Sequence, residues 1–334
     1  MKKHPCTGRI GLQLLCVLAA TAGFVRAADA PVSAPPPAAT RPARAPAGST
    51  PPMPPVPVPA AVAIPRPTAD ELARLNAAVE NFIATDTSPA KPLLEKYRSL
   101  LQVQPPRPNS AIAPSLNLGF MTKHNTNLDV AKHGDVDILF LGDSITDFWR
   151  NAGPGDNPPK AGKAVFDEYY GSLKTANFGI SGDTTQGVLW RLLNGEGQGF
   201  QPKVVMLMIG TNNAASSSVV NNTPAEIAEG VGAIVLQLRQ DFPAAKILLL
   251  GIFPRNAPDS AARRAALAVN PIIARLDDRQ NVFYLDIGAK FLDAAGNIPA
   301  DVMDDQLHPS AKGYRIWAEA VKEPLANLLK GAAP

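Results

Sequence analysis

The stretch Val136-Asp137-Ile138-Leu139-Phe140-Leu141-Gly142-Asp143-Ser144-Ile145-Thr146 decides how the chain is read. Its first half is a nearly continuous apolar run, as expected of a strand buried on both faces. Its second half is a polar turn that contains glycine. The same pairing recurs twice: Thr175–Phe178 leads into Gly179-Ile180-Ser181-Gly182-Asp183-Thr184, and Val204–Ile209 into Gly210-Thr211-Asn212-Asn213. Two further β-rich runs, Ile247–Leu250 and Val282–Asp286, bring the set to five. Helical patterns lie at about 185–194, 224–240, 259–279 and 311–329, the second started by Thr223-Pro224 with Glu226 in its first turn. Regular β/α alternation predicts an α/β fold, a parallel sheet covered by helices on both faces with right-handed crossovers. Sites in such sheets lie at the carboxyl ends of the strands, so the residues just after each strand are the candidates for chemistry.

Three polar, glycine-containing loops and a final Asp304-Asp305-Gln306-Leu307-His308-Pro309 segment are expected at that edge. Together they hold what acyl transfer needs: a hydroxyl, an imidazole, a carboxylate to orient it, and donors for an oxyanion. Ser144 is the natural nucleophile, at a strand-to-helix turn where Gly142 permits a tight bend and the Ser144 N–H stands near a helix start. A lone Gly-Asp-Ser is more often only a helix cap, and Ser181 is a rival. Neither serine completes the Gly-x-Ser-x-Gly elbow of the α/β-hydrolases. Of four histidines, His4 lies at the extreme N-terminus and His124 and His133 in a polar helical stretch before the first strand. Only His308 stands in a strand-end loop, and Asp305, three residues earlier, is spaced to hold its Nδ1–H and leave Nε2 facing Ser144. Gly182 offers an unobstructed backbone N–H, and Asn212 an amide donor that cannot be deprotonated.

The ends of the chain carry the unusual composition. Lys2, Lys3 and Arg9 precede an apolar run from Ile10 to Val25, and small residues come next around Ala27, the pattern of a signal peptide over residues 1–27. Its removal takes both cysteines, Cys6 and Cys16, and changes the formal charge from +3 to −1, with 28 basic and 29 acidic residues remaining. Disulfide, thiolate and Cys-rich metal chemistry would then be excluded. No Lys/Arg cluster with interleaved aromatics remains to suggest nucleic-acid binding. Of 34 prolines, 14 lie between Pro31 and Pro67, so residues 28–67 read as a Pro/Ala-rich, disordered or polyproline-type tether. Leu72, Leu75, Val79 and Phe82, then Leu93, Leu94, Tyr97, Leu100 and Leu101, suggest an amphipathic helical pair within 68–109. The main domain is expected over 110–334. After the N-terminus, no apolar run approaches the ~20 residues of a membrane span.

The four blocks resemble those of the SGNH, or GDSL-type, hydrolases: Gly142-Asp143-Ser144, Gly182, Gly210-x-Asn212 and Asp305-x-x-His308. The stretches Asn177-Phe178-Gly179-Ile180-Ser181-Gly182-Asp183-Thr184-Thr185 and Val188-Leu189-Trp190-Arg191-Leu192 are similar to the catalytic subunits of intracellular platelet-activating-factor acetylhydrolase and their bacterial relatives. The resemblance covers roughly residues 115–330. It implies a flavodoxin-like three-layer sandwich with a five-stranded parallel sheet and no metal or other cofactor. It also implies an acyl-enzyme mechanism with Ser144 as nucleophile, His308 as base and Asp305 as its orienter, and with Ser144, Gly182 and Asn212 lining the oxyanion hole. Ile145 departs from the name-giving Leu, Ser181 from a frequent Gly and Asn213 from a frequent Asp.

A metal site built from Asp143, Asp147, Asp183, Asp304 and Asp305, or a glycosidase carboxylate pair among them, leaves Asn212, Gly182 and His308 without roles. Asp143 and Asp183 are read instead as acceptors that brace the loops beside the substrate. Phe148, Trp149 and Phe253 are expected as exposed loop aromatics able to stack on a sugar, with Asn213 also near the substrate. The expectation is an exported, periplasmic or secreted serine esterase that removes a short acyl group, acetyl first, from a carbohydrate or similar polar carrier. A lipid esterase or lysophospholipase of the same fold, and a tethered binding module without catalysis, are the competing readings. The sequence leaves the oligomeric state open.

Overall fold

The computed structural model describes residues 48–214 and 222–331. The signal-like residues 1–27 and the first part of the Pro-rich stretch lie outside the described residues. Five parallel strands form one sheet: β1 (Ile138–Gly142), β2 (Thr175–Asn177), β3 (Val204–Met208), β4 (Lys246–Leu250) and β5 (Val282–Leu285), in the spatial order β2-β1-β3-β4-β5. Ile138 pairs with Thr175 on one side and Val204 on the other, while Ile247 pairs with Val282.

The helices in chain order are α1 (Ala69–Thr85), α2 (Lys91–Lys96), α3 (Arg98–Leu101), α4 (Met121–His133), α5 (Ser144–Asp147), α6 (Lys163–Tyr170), α7 (Thr185–Arg191), α8 (Thr211–Ala214), α9 (Pro224–Asp241), α10 (Ala261–Leu267), α11 (Asn270–Ile273) and α12 (Ala311–Leu329). Strand side chains alternate between the two faces. Leu139, Leu141, Val205, Leu207, Ile247 and Leu249 meet Val188 and Leu189 of α7 and Ile227, Val231 and Ile234 of α9. Ile138, Phe140, Met206, Met208, Leu248 and Leu250 meet Val165 of α6 and Tyr314, Trp317 and Val321 of α12. Both faces are covered, which is why the strands read as apolar runs.

The expected single helix over 259–279 is broken into α10 and α11. Pro271 cannot donate to a continuing helix, and Asn270 turns inward, where its Oδ1 accepts from Ile252 N (2.8 Å) and its Nδ2 donates to Ile252 O (3.0 Å). The expected helical pair becomes three helices, its second member split at Tyr97 into α2 and α3; Thr68 and Glu71 form a capping box on α1, only Ile83 of α1 is buried, and Leu75 and Phe82 remain exposed.

The larger correction concerns the proline tract. Residues 48–67, irregular backbone with a turn at 60–62 closed by Val62 N on Pro59 O (3.1 Å), are not a free tether. A polyproline helix repeats every three residues, and Thr50, Met53 and Val56 form one such row, donating to the carbonyls of Leu116 (2.8 Å), Pro114 (2.8 Å) and Ile112 (2.9 Å). The prolines between them give up no donor that this row needs. Val62 is buried in the same core as α9. Arg66 forms a two-pronged pair with Glu229 (2.7 and 2.6 Å), whose side chain is wholly buried and also accepts from Ile64 N and Asn109 Nδ2.

Removing one partner of a buried pair strands the other charge. Arg66→Ala is therefore expected to lower the unfolding free energy by about 2 kcal/mol, less than for a fully buried partner, with Glu229→Gln in the same background restoring part of it. Urea unfolding checks this: a midpoint unchanged by Arg66→Ala would mean that the strap is not docked in solution.

Candidate active site

The order β2-β1-β3-β4-β5 reverses direction between β1 and β3, and the crevice at such a switch point is where open α/β sheets bind ligands. The loops after β1, β2 and β3 all open there. Gly142 ends β1 because nothing larger fits: a Cβ would stand 2.3 Å from both Met208 O and Thr146 Oγ1. The chain then turns directly into α5, with Asp143 as its N-cap accepting from Ile145 N (3.0 Å). Tyr314 of α12 holds the same turn from below by donating to Ile145 O (2.8 Å).

Ser144 opens α5. Its Oγ lies 2.9 Å from His308 Nε2, and His308 Nδ1 lies 2.7 Å from Asp305 Oδ2. Asp305 Oδ1 accepts from the backbone N–H of Leu307 (3.0 Å) and His308 (2.8 Å), which ties carboxylate and imidazole to one turn. Partial burial works to raise the Asp305 pKa. The bonds from the His308 ring and backbone and from Lys160 outweigh it, and the carboxyl is held well below its usual range. Lys160 Nζ is 3.0 Å from Asp305 Oδ2. The serine, histidine and aspartate expected from sequence are thus brought into one hydrogen-bonded chain.

Gly182 has φ +84°, a left-handed conformation that favours glycine, and it is exposed at the crevice rim. Asn212 is linked to the same loop, its Nδ2 donating to Asp183 O (2.7 Å), which fixes the amide and leaves its second N–H available. Ser181, the rival serine, is committed elsewhere: its Oγ and N donate to Asp147 Oδ2 (2.9 and 3.1 Å). Asp147 Oδ1 in turn takes Lys123 (2.7 Å) and Arg150 (2.6 Å), and Arg150 also donates to the carbonyls of Asn177 and Gly179 (2.7 Å each). This clamp fastens the Gly182 loop to α5. Sequence reasoning weighs Asp147 only as a metal ligand and passes over Lys123, Arg150 and Lys160. Arg255, also missed, donates to Thr211 O (3.1 Å) beside Asn212, and burial lowers its pKa.

Several expected substrate neighbours belong to the interior instead. Trp149 and Phe253 are fully buried in the α12-side core, Trp149 against Tyr314 and Phe253 against Phe291 and Trp317. They cannot stack on a sugar. Phe148 alone stays at the site, 5.0 Å from the His308 ring. Asn213 is buried and bonds Thr185, Gln186 and Asn222. Asp183 faces inward to Arg191 (2.9 Å), which also binds Glu196, itself in contact with His124 (2.8 Å). Asp143 is buried beneath Ser144. Among the described residues, no group of three or more His, Cys, Asp or Glu side chains is placed to hold a metal ion.

A doubly wound sheet with a Ser-His-Asp chain at its switch point is the architecture of a serine hydrolase. Residues 140–316 match the GDSL-like Lipase/Acylhydrolase family, and the chain belongs to that family. It is a carboxylic ester hydrolase. Over 212 residues, 63% of this chain and 85% of the relative, it is 34% identical to the platelet-activating factor acetylhydrolase IB subunit alpha2 of Rattus norvegicus. It is 30% identical to the alpha1 subunit of Bos taurus over 221 residues, 64% of this chain and 88% of that one. Among solved structures it is similar to Axe2, an acetylxylan esterase from Geobacillus stearothermophilus. That match has 24% identity and a TM-score of 0.44, covering 57% of this chain and 95% of that one. A member of the lipolytic G-D-S-L family from Veillonella parvula gives 18% identity and a TM-score of 0.46 over 57% and 97%.

Burial pushes the Asp143 carboxyl up to about 7, against the Ile145 N–H, with Asp183 adding to the shift and Arg255 opposing it. Its folded pKa exceeds the unfolded ~3.9, so its contribution to stability is fully present below about 4 and declines as pH rises towards 7. Asp143→Asn keeps an acceptor for Ile145 and removes the ionisation. Thermal unfolding across pH checks this: the Tm of Asp143→Asn relative to wild type is expected to rise by several degrees between pH 5 and pH 8, and a constant difference would contradict it.

Proposed function

We propose that this hydrolase is a serine esterase working through an acyl-enzyme on Ser144. The observation that carries the reading is the unbroken chain from Asp305 through His308 to Ser144, with spacings of 2.7 and 2.9 Å. His308 Nε2 takes the Ser144 proton as Oγ bonds to the ester carbonyl carbon. The resulting oxyanion is met by the N–H groups of Ser144 and Gly182 and by Asn212 Nδ2. Asp305 keeps Nδ1 protonated and stabilises the imidazolium. That imidazolium then protonates the leaving alkoxide as the C–O bond breaks. In the second half, His308 deprotonates a water whose oxygen attacks the acyl carbon, and the proton returns to Ser144 as the acid departs.

The acyl group is short, acetyl first, and its carrier is a carbohydrate or a similarly polar alcohol. Support for acetyl comes from the acetylhydrolase relatives. Support for a polar carrier is the polar character of the loops that hold Gly182 and Asn212, with Phe148 the one of the three expected aromatics that stays at the site. Export is supported by the basic start, apolar run and small residues of the first 27 positions. The domain order in this reading is signal, Pro-rich segment, helical pair and hydrolase, with the strap over 48–67 belonging to the hydrolase. No helix among the described residues is long and apolar enough to cross a membrane.

Ser144→Ala is expected to reduce ester hydrolysis by about 10⁴-fold or more, and Asn212→Ala by about 10²–10³. Nitrophenyl esters from acetate to octanoate, run beside acetylated xylan and a lysophospholipid, set the substrate class. Acetate should be preferred, with acetylated xylan turned over. Preference for octanoate or the lysophospholipid would overturn the acetylesterase reading, and undiminished activity in Ser144→Ala would overturn the mechanism.

A further inference from the structure

We propose that Lys160 is a positioning residue for the esterase reaction, its ammonium holding Asp305 against His308 and extending activity to lower pH. The inference rests on the triad reading above.

Lys160 Nζ is 3.0 Å from Asp305 Oδ2, the same oxygen that receives His308 Nδ1 at 2.7 Å. With Asp305 Oδ1 taking two backbone donors, the carboxylate is held from both ends, and one of its holders is a cation from outside its own loop. Lys160 belongs to the polar connection between α5 and α6. That connection is fastened where it matters: Asn151 Nδ2 donates to Lys160 O (3.0 Å) and Asn157 Nδ2 to Asp301 O (2.8 Å). Lys312 N donates to Asn157 Oδ1 (2.7 Å), and Ala311 N to Pro158 O (3.1 Å). The connection is thus tied to the start of α12, immediately after His308.

Lys160 has φ +54°, in the left-handed region that glycine adopts without cost.

The charged groups facing the pair are Lys160, Asp304 on the same loop as Asp305, Arg255 from the segment after β4, and Asp143 beneath Ser144. Lys160 is the one bonded to Asp305 Oδ2. A positive charge there disfavours imidazolium and partly offsets the Asp305 charge that favours it. The acid limb of the activity profile is thereby expected to lie at lower pH than without that charge. Because the Lys160 side chain is about half exposed, solvent reduces the effect, and a shift of about half to one pH unit is expected.

The test is the pH dependence of kcat/KM on a nitrophenyl acetate substrate for wild type, Lys160→Gln, Lys160→Gly and Lys160→Arg. Gln and Gly both remove the charge, and Gly also suits the left-handed backbone, so agreement between them excludes a folding artefact. The acid-side midpoint should rise by about half to one unit in both and stay within about 0.2 unit of wild type in Arg. An unmoved midpoint in Gln and Gly, or an equal rise in Arg, would overturn the proposal. A wild type with no acid limb, or Ser144→Ala retaining activity, would instead overturn the triad reading beneath it.

Discussion

The hydrogen bond between Ser144 and His308 joins residues 164 positions apart, and most of the fold can be traced from the need to hold it. Ser144 is set by β1, which lies between β2 and β3 and so is fixed by pairing on both sides. The approach of Gly142 to Met208 O and Thr146 leaves no room for a gentler exit, so the chain turns at once and the hydroxyl stands at the sheet edge. His308 is set from the other side. Ser310 caps α12 and bonds Asp301 O and Val302 O, while Tyr314, one turn along the same helix, reaches back to Ile145. One helix therefore follows directly on the His308 loop and supports the turn that carries Ser144.

Around this contact, buried polar groups divide between the interior and the site. Asp183 and Asp143 are each adjacent to a residue that faces the crevice, yet both turn inward, Asp183 to Arg191 and Asp143 to the start of α5. Their neighbours Gly182 and Ser144 are the ones that stand at the crevice. The charged interior thus anchors loops whose adjoining residue offers a donor. Asp147 does the same for the loop after β2 by holding Ser181. The networks are not complete, since Asp143 Oδ2 and Arg191 Nη2 are buried without a hydrogen-bond partner, and such unpaired groups are costly in a low-dielectric interior.

The sheet and the hydrogen-bonded chain of Ser144, His308 and Asp305 are legible in the sequence for a physical reason. Strands covered on both faces must be apolar throughout, and catalytic polar groups at their ends break the pattern visibly. His308 stands out because no other histidine lies in a strand-end loop. The aromatics are not legible in the same way: Phe148 and Trp149 are adjacent, but the helical turn after Ser144 sends one to the crevice and the other into the core. The helix break at Asn270 depends on a side chain pairing with Ile252, which periodicity cannot report. Proline content accounts for the three-residue row at Thr50, Met53 and Val56 but not for its docking, because composition does not say whether that row finds carbonyls to bond. Lys160 lies in a polar connection 145 residues from its partner, and no local signal marks it.

Ser144, presented at the β1/β3 switch point, is proposed to attack an ester carbonyl whose oxygen points towards Ser144 N, Gly182 N and Asn212 Nδ2. The most direct measurement is a crystal structure of the enzyme after reaction with a short alkyl phosphonate, whose tetrahedral phosphorus imitates the intermediate. The expected result is a covalent bond from Ser144 Oγ to phosphorus and one phosphonyl oxygen within hydrogen-bond distance of those three donors. Attachment at Ser181 or any other residue, or an oxygen turned away from Gly182 and Asn212, would contradict it.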